Sequence, residues 1–201
     1  MFIKPLSWSA ISCYDYNPEQ FYTQYILGIK DPPTREMTLG NIIHSGFEGK
    51  DWKKELIDND FTSDYERTVA EIMKFPMPKM TQQEVWLGEK GKEYEELGCA
   101  FAARADGINE DENVIIEIKT GKNFWTQERA DEHGQLTLYS FLKWKETGKI
   151  PDIILVSCNV NNGKVKVFPT KRTEQQIQEM CDHVKDVVKQ LKQRGWWENR
   201  I

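Results

Sequence analysis

Long apolar runs, closely spaced cysteines and an excess of positive charge are all missing from this 201-residue chain, and each absence closes a class of explanation. No apolar stretch approaches the ~20 residues needed to cross a bilayer, so neither a spanning helix nor a membrane partner is expected. The first residues, Met1-Phe-Ile-Lys-Pro5, carry no signal-peptide pattern, and a cytoplasmic setting is the default expectation. The four cysteines, Cys13, Cys99, Cys158 and Cys181, lie far apart and include no CxxC. Zinc and iron–sulfur sites usually show at least one short cysteine spacing, so these read as reduced, mostly buried thiols. The net charge of −5 does not by itself point to nucleic acid. Local basic runs (Lys50 with Lys53 and Lys54, Lys164 with Lys166, Lys171-Arg172, Lys189 to Arg194) read first as solvated faces.

What is present is an ordinary globular composition, 39% hydrophobic and 29% charged, long enough for one domain with a real core. The first 80 residues read as helical. Asn17-Pro18-Glu-Gln20 is a helix start, with an N-cap, proline at the first position and Gln in the capping-box place. Thr38 is expected to open a helix bearing Leu39, Ile42, Ile43 and Phe47, and residues 63–74 another. From residue 81 the pattern turns to short apolar runs. Strands are expected at 84–87, 99–105, 114–119 and 152–160, with a helix over 126–145 between the last two. Asn161-Asn-Gly163 is a hairpin turn leading to a strand at 164–168. Thr173-x-x-Gln176 caps a last helix striped with Ile177, Met180, Cys181, Val184, Val187, Val188 and Leu191. Helices, strands, helix, strands, helix predict an α/β fold, a mixed sheet with helices packed on it.

The most informative run is Arg104-Ala-Asp106-Gly107 followed by Glu117-Ile-Lys119-Thr-Gly121. On a strand Glu117 and Lys119 share a face, while Val114, Ile116 and Ile118 form the other. A hairpin turning through residues 109–113 can bring Asp106 beside Glu117. Two carboxylates and an ammonium then meet, a set that can hold a divalent metal and steady a phosphate. Taken alone, the triplet also fits a half-buried strand with an exposed ion pair worth roughly 0–1 kcal/mol. Other residues could join this site. His44 shares a helix face with Gly40 and Glu48, and an imidazole ligand would tilt the preference from Mg²⁺ toward Mn²⁺. Gln135 and Tyr139, four apart, present an amide and a hydroxyl on one helix face, which also suits the polar edge of an amphipathic helix. Trp125 either stacks on a base or plugs its loop into the core, and Trp196-Trp197 reads as packing, with a partner contact as the alternative.

In order, His44, Asp106, Glu117-Ile-Lys119 and Gln135-x-x-x-Tyr139 resemble the RecB-type branch of the PD-(D/E)xK nucleases. Ser7-x-Ser9-x-Ile11-x-x-Tyr14-x-x-Asn17-Pro18-x-x-Phe21 is similar to that branch's opening segment, as is Gly40-x-x-x-His44. The resemblance runs from residue 7 to about residue 145. It implies a restriction-endonuclease-like core over residues 1–201, with residues 1–80 as a helical part carrying His44 and 81–201 as the sheet and its helices. It implies Mn²⁺- or Mg²⁺-dependent hydrolysis of DNA, most simply by an exonuclease acting on single strands or ends. A structure-specific endonuclease and a non-catalytic DNA-binding subunit are the alternatives. Asp106, Glu117, the Ile118 carbonyl and His44 would hold the metal. Lys119 would orient the attacking water or steady charge on the phosphate, and Gln135 and Tyr139 would contact DNA and shape the site. Many relatives place an iron–sulfur cysteine immediately before the proline that is Pro18 here. This chain has Asn17 there and no C-terminal cysteine cluster, so no iron–sulfur cluster is expected.

Overall fold

The apolar stripe from Ile177 to Leu191 is buried along its whole length, and it fixes one side of the molecule. In a computed structural model of the chain, which describes residues 5–61, 63–89, 91–101 and 103–196, a five-stranded sheet separates two apolar cores. The helical part comprises α1 (Trp8–Tyr16), α2 (Pro18–Phe21), α3 (Arg35–Phe47), α4 (Trp52–Asp58) and α5 (Ser63–Met73). The strands are β1 (Gln82–Leu87), β2 (Glu93–Tyr94), β3 (Cys99–Ala100), β4 (Ala103–Asn109) and β5 (Val114–Gly121). Then come α6 (Gln127–Glu132), α7 (Gly134–Thr147), β6 (Asp152–Asn159), β7 (Val165–Lys171) and α8 (Glu174–Gln193).

The sheet order is β1-β4-β5-β6-β7, with β2 and β3 forming a separate hairpin. Only β5 and β6 run parallel, and α6 and α7 make the crossover that a parallel pair requires. Alternation along β5 sends Ile115 into the core under α1, α7 and α8, and Ile116 and Ile118 into the core under α3, α4 and α5. Burial on both faces makes β6 a continuous apolar run, with Ile153 and Leu155 on one side and Val156 and Cys158 on the other.

Several caps work as the sequence implies. Asn17 Oδ1 accepts from the Glu19 and Gln20 N–H groups, and Thr173 with Gln176 closes a full capping box. Several elements differ from expectation. The helix expected at Thr38 begins at Arg35, because the Thr34 hydroxyl caps it through the Met37 N–H. The helix α4 had no strong periodicity, and the Asp51 side chain starts it. The strand expected at 99–105 is two, so Asp106 lies inside β4 and not at a strand end. The helix expected over 126–145 breaks at His133, whose ψ of 116° is extended.

Candidate active site

The ladder between β4 and β5 runs from Asn109↔Val114 to Gly107↔Ile116. The ladder ends there, just before Asp106 and Glu117. There the Asp106 side chain takes the Ile118 N–H, which donates to Oδ2 at 2.7 Å. The other carboxylate oxygen meets His44 Nδ1 at 3.1 Å. Close helix–strand packing delivers that histidine. A Cβ on Gly40 would stand 2.8 Å from Thr120 Oγ1, so glycine lets α3 lie directly on β5 one turn before His44.

Glu117, 3% exposed, is held by partners of its own. Its Oε1 pairs with Lys119 Nζ at 2.8 Å and accepts from Gln135 Nε2 at 3.0 Å. Lys119 Nζ also donates to Gln135 Oε1 at 2.8 Å. Gln135 Nε2 further donates to the Tyr139 hydroxyl at 2.6 Å, and that hydroxyl donates to the Arg104 carbonyl at 2.7 Å. Gln135 and Tyr139 stack on one face of α7, as their spacing requires. Tyr139 is 2% exposed, so it braces the β4 backbone from inside the core and is not a surface contact.

The electrostatics follow from burial. Burial pushes the Glu117 carboxyl up to about 7, and the Asp106 charge adds to it, against the pull of Lys119 and His44. Asp106 ends below its ordinary value. Burial works to raise it, but the His44 hydrogen bond and charge, the Ile118 N–H and Lys119 together outweigh that. His44 is raised, because its bond to Asp106 and the charges of Asp106 and Glu117 overcome the opposing effect of burial. Burial raises the Tyr139 hydroxyl far above its usual value, which keeps it a neutral donor.

Among the described residues no three His, Cys, Asp or Glu side chains form a ready-made metal cage. The Asp106 charge raises the Glu117 carboxyl, and each carboxylate is held by donors of its own. The donor set still suits a hard divalent ion. Glu117 Oε2 is buried with no hydrogen-bond partner, an uncompensated acceptor of the kind that needs an explanation. Asp106 and an imidazole stand on the neighbouring strand and helix, and carboxylate oxygens with an imidazole nitrogen are donors that a divalent metal ion accepts.

The remaining candidates fall outside this cluster. Trp125 is 8% exposed and plugs its loop into the core, its backbone N–H donating to Ser157 Oγ at 3.1 Å. Trp196 packs on Phe21 and Tyr22; Trp197 lies outside the described residues. The thiols of Cys99, Cys158 and Cys181 are buried and pushed up to about 12 by that burial. Arg172, read as part of a solvated basic run, is instead 2% exposed. It donates to Thr137 Oγ1, Thr170 Oγ1 and the Ala130 carbonyl at 2.7–2.8 Å, and to the His133 carbonyl at 3.3 Å. It thereby pins the corner that starts α7. An arginine at the end of a charged strand gives no sign in the sequence of such a buried role.

A family model described as the PD-(D/E)XK nuclease superfamily matches residues 5–200. A candidate exonuclease from Eubacterium rectale has a similar structure, with a TM-score of 0.67 at 17% identity over 97% of this chain and 83% of that one. An alkaline exonuclease from Laribacter hongkongensis aligns with a TM-score of 0.51 at 14% identity, over 96% of this chain and 90% of that one. At these identities the two structures speak to the fold. No functionally curated protein matches the sequence.

Proposed function

This chain belongs to the PD-(D/E)XK nuclease superfamily, and from that premise we propose that it is a divalent-metal-dependent deoxyribonuclease, a single nuclease domain working as an exonuclease on single strands or DNA ends. The observation that carries this reading is the junction of Asp106, Glu117 and Lys119 around a buried, unpartnered carboxylate oxygen. Asp106, Glu117, the Ile118 carbonyl and His44 would hold Mn²⁺ or Mg²⁺. The chemistry such an ion supplies when bound is Lewis-acid polarisation of the phosphodiester and relief of its negative charge.

The protein's own groups supply the rest. Asp106 is fixed from two sides, by His44 and by the Ile118 N–H, so its carboxylate keeps one orientation. Gln135 holds Lys119 and Glu117 in register with each other. Lys119 is a quarter exposed, so its ammonium can reach a phosphate oxygen while still tied to Glu117. Charge building on that oxygen is then met by a cation already in place, with no reorganisation needed. The exonuclease names of the two similar structures support the mode of action.

Incubation of purified protein with labelled DNA and Mn²⁺ or Mg²⁺ tests this. Degradation is expected, with Asp106→Ala and Lys119→Ala each losing about 10²-fold or more. Undiminished activity in either variant removes this site from the reaction. A circular single strand is expected to stay intact, and its cleavage would replace the exonuclease with an endonuclease.

A further inference from the structure

Trp86 is the one exposed tryptophan among the described residues, at 66% exposure. Tryptophan is highly buried on average, and here most of the side chain is exposed on a strand. Its neighbours on β1, Val85 and Leu87, pack into the core beneath α7, so Trp86 leaves the sheet from the other face. That is the face on which α3 lies, and Gln83 Nε2 reaches the Phe47 carbonyl at the end of α3 at 3.5 Å.

The position relative to the metal-binding carboxylates is fixed by register. Trp86 pairs with Arg104 on β4, and Asp106 follows two residues later on that strand. The two Cα atoms are therefore about 8 Å apart, one strand across and two residues along. Arg104 stands beside the indole as a cation, tied to Glu84 at 3.1 Å, while its carbonyl anchors Tyr139. Glu84 itself sits at φ 51°, in the left-handed region, and is missing from the ladder that resumes at Val85. A non-glycine held there is strained, and the strain falls immediately before the segment that presents Trp86.

We propose that Trp86 is a stacking platform for an unpaired base of the DNA strand whose phosphate lies at Asp106 and Glu117, with Arg104 beside it facing the backbone. The proposal rests on the nuclease reading for the location of that phosphate. Stacking uses the π-face that every base has, so the platform selects for unpaired bases and not for sequence. A duplex keeps its bases stacked on each other and offers the indole little. The site thereby gains a physical cause for preferring single strands.

The test is equilibrium binding in EDTA, where no cleavage occurs, read by fluorescence anisotropy. The probes are a labelled thymidine oligonucleotide, an abasic oligomer of equal length and a blunt duplex. Wild type is expected to bind the thymidine strand about tenfold tighter than the abasic one. Trp86→Ala should bring that ratio close to one, Trp86→Phe should keep most of it, and duplex binding and the salt dependence should not change. An unchanged ratio in Trp86→Ala, an equal loss on the duplex, or no measurable binding by wild type each overturn the proposal. Cleavage with Mn²⁺ is scored separately. Cleavage without Trp86-dependent binding overturns the platform and leaves the nuclease. Trp86-dependent binding without cleavage leaves the platform and removes the nuclease.

Discussion

At the residue scale the site is a relay of short polar contacts whose members have little meaning alone. Gln135 shows this best. Its amide accepts from Lys119, donates to Glu117 and donates to Tyr139, which in turn holds the Arg104 carbonyl. Replacing it with the near-isosteric Gln135→Leu leaves Glu117 Oε1 and the Tyr139 hydroxyl each short of a partner inside the protein. A loss of about 1–3 kcal/mol in urea unfolding is expected. Because Tyr139→Phe cuts the same chain, the double variant should lose less than the two single losses combined, with a coupling of about 0.5–3 kcal/mol. Strict additivity would show that the contacts act independently. Much of this site could be read from the sequence, because Glu117 with Lys119 and Gln135 with Tyr139 obey the two shortest periodicities, two on a strand and four on a helix. Trp86 and Arg172 could not. The importance of each depends on a residue on another strand or helix, Arg104 opposite the first and Thr137 beside the second, and no local pattern encodes that.

At the scale of elements, the corner between α6 and α7 decides where Gln135 begins its helix. Two features build it. Trp8 of α1 lies so close to Gly134 that a Cβ there would sit 2.0 Å from the indole, so only glycine admits it. Arg172, from the end of β7, gathers the Ala130 and His133 carbonyls and the Thr137 hydroxyl into one fork. Arg172→Met removes all of those donors at once. Unfolding free energy should fall by about 2–4 kcal/mol, and nuclease activity should fall further than Arg172→Lys, which keeps the charge but cannot span the same acceptors. Equal stability of wild type and Arg172→Met would mean that the corner holds by packing alone. The sequence predicts one helix over 126–145, and the structure breaks it at His133. The break comes from tertiary contacts with α1 and β7, which override a local pattern. The same holds for β4. It runs on from the expected strand end at residue 105 to Asn109, because Gly107, Ile108 and Asn109 pair with β5. Where a stripe faces a single core, as in α8, reading and structure agree residue for residue.

At the scale of the whole molecule, buried ionisable groups set opposing pH slopes on stability. Burial lowers His133 to about 4, with the charges of Lys119, Arg129 and Arg172 adding to the effect, and its Nδ1 is buried without a partner. In the unfolded chain the same histidine titrates near ~6.5. Its stabilising contribution is therefore complete above about pH 6.5 and is lost as pH falls toward 4, because the unfolded state binds the proton first. Glu117 works the other way. Raised to about 7 by burial, it favours the folded state at low pH, and that contribution is lost as pH rises through the interval from about 4.3 to 7. The two nearly share a window, so a melting curve of the wild type alone shows only their difference. His133→Asn separates them. Asparagine keeps a good N-cap residue in front of α7 and cannot titrate, while Glu117 remains in both proteins. Between pH 7 and 4.5 the wild-type melting temperature should fall further than that of the variant. Discounted for the partial exposure of His133, the excess is on the order of 1–2 kcal/mol, or about 2–8 °C for a chain of this size. Parallel melting profiles would mean that His133 gains its proton in the folded protein as easily as in the unfolded chain, and that the packing of Trp125 on it, with Arg129 over the Trp125 ring, does not exclude the charge.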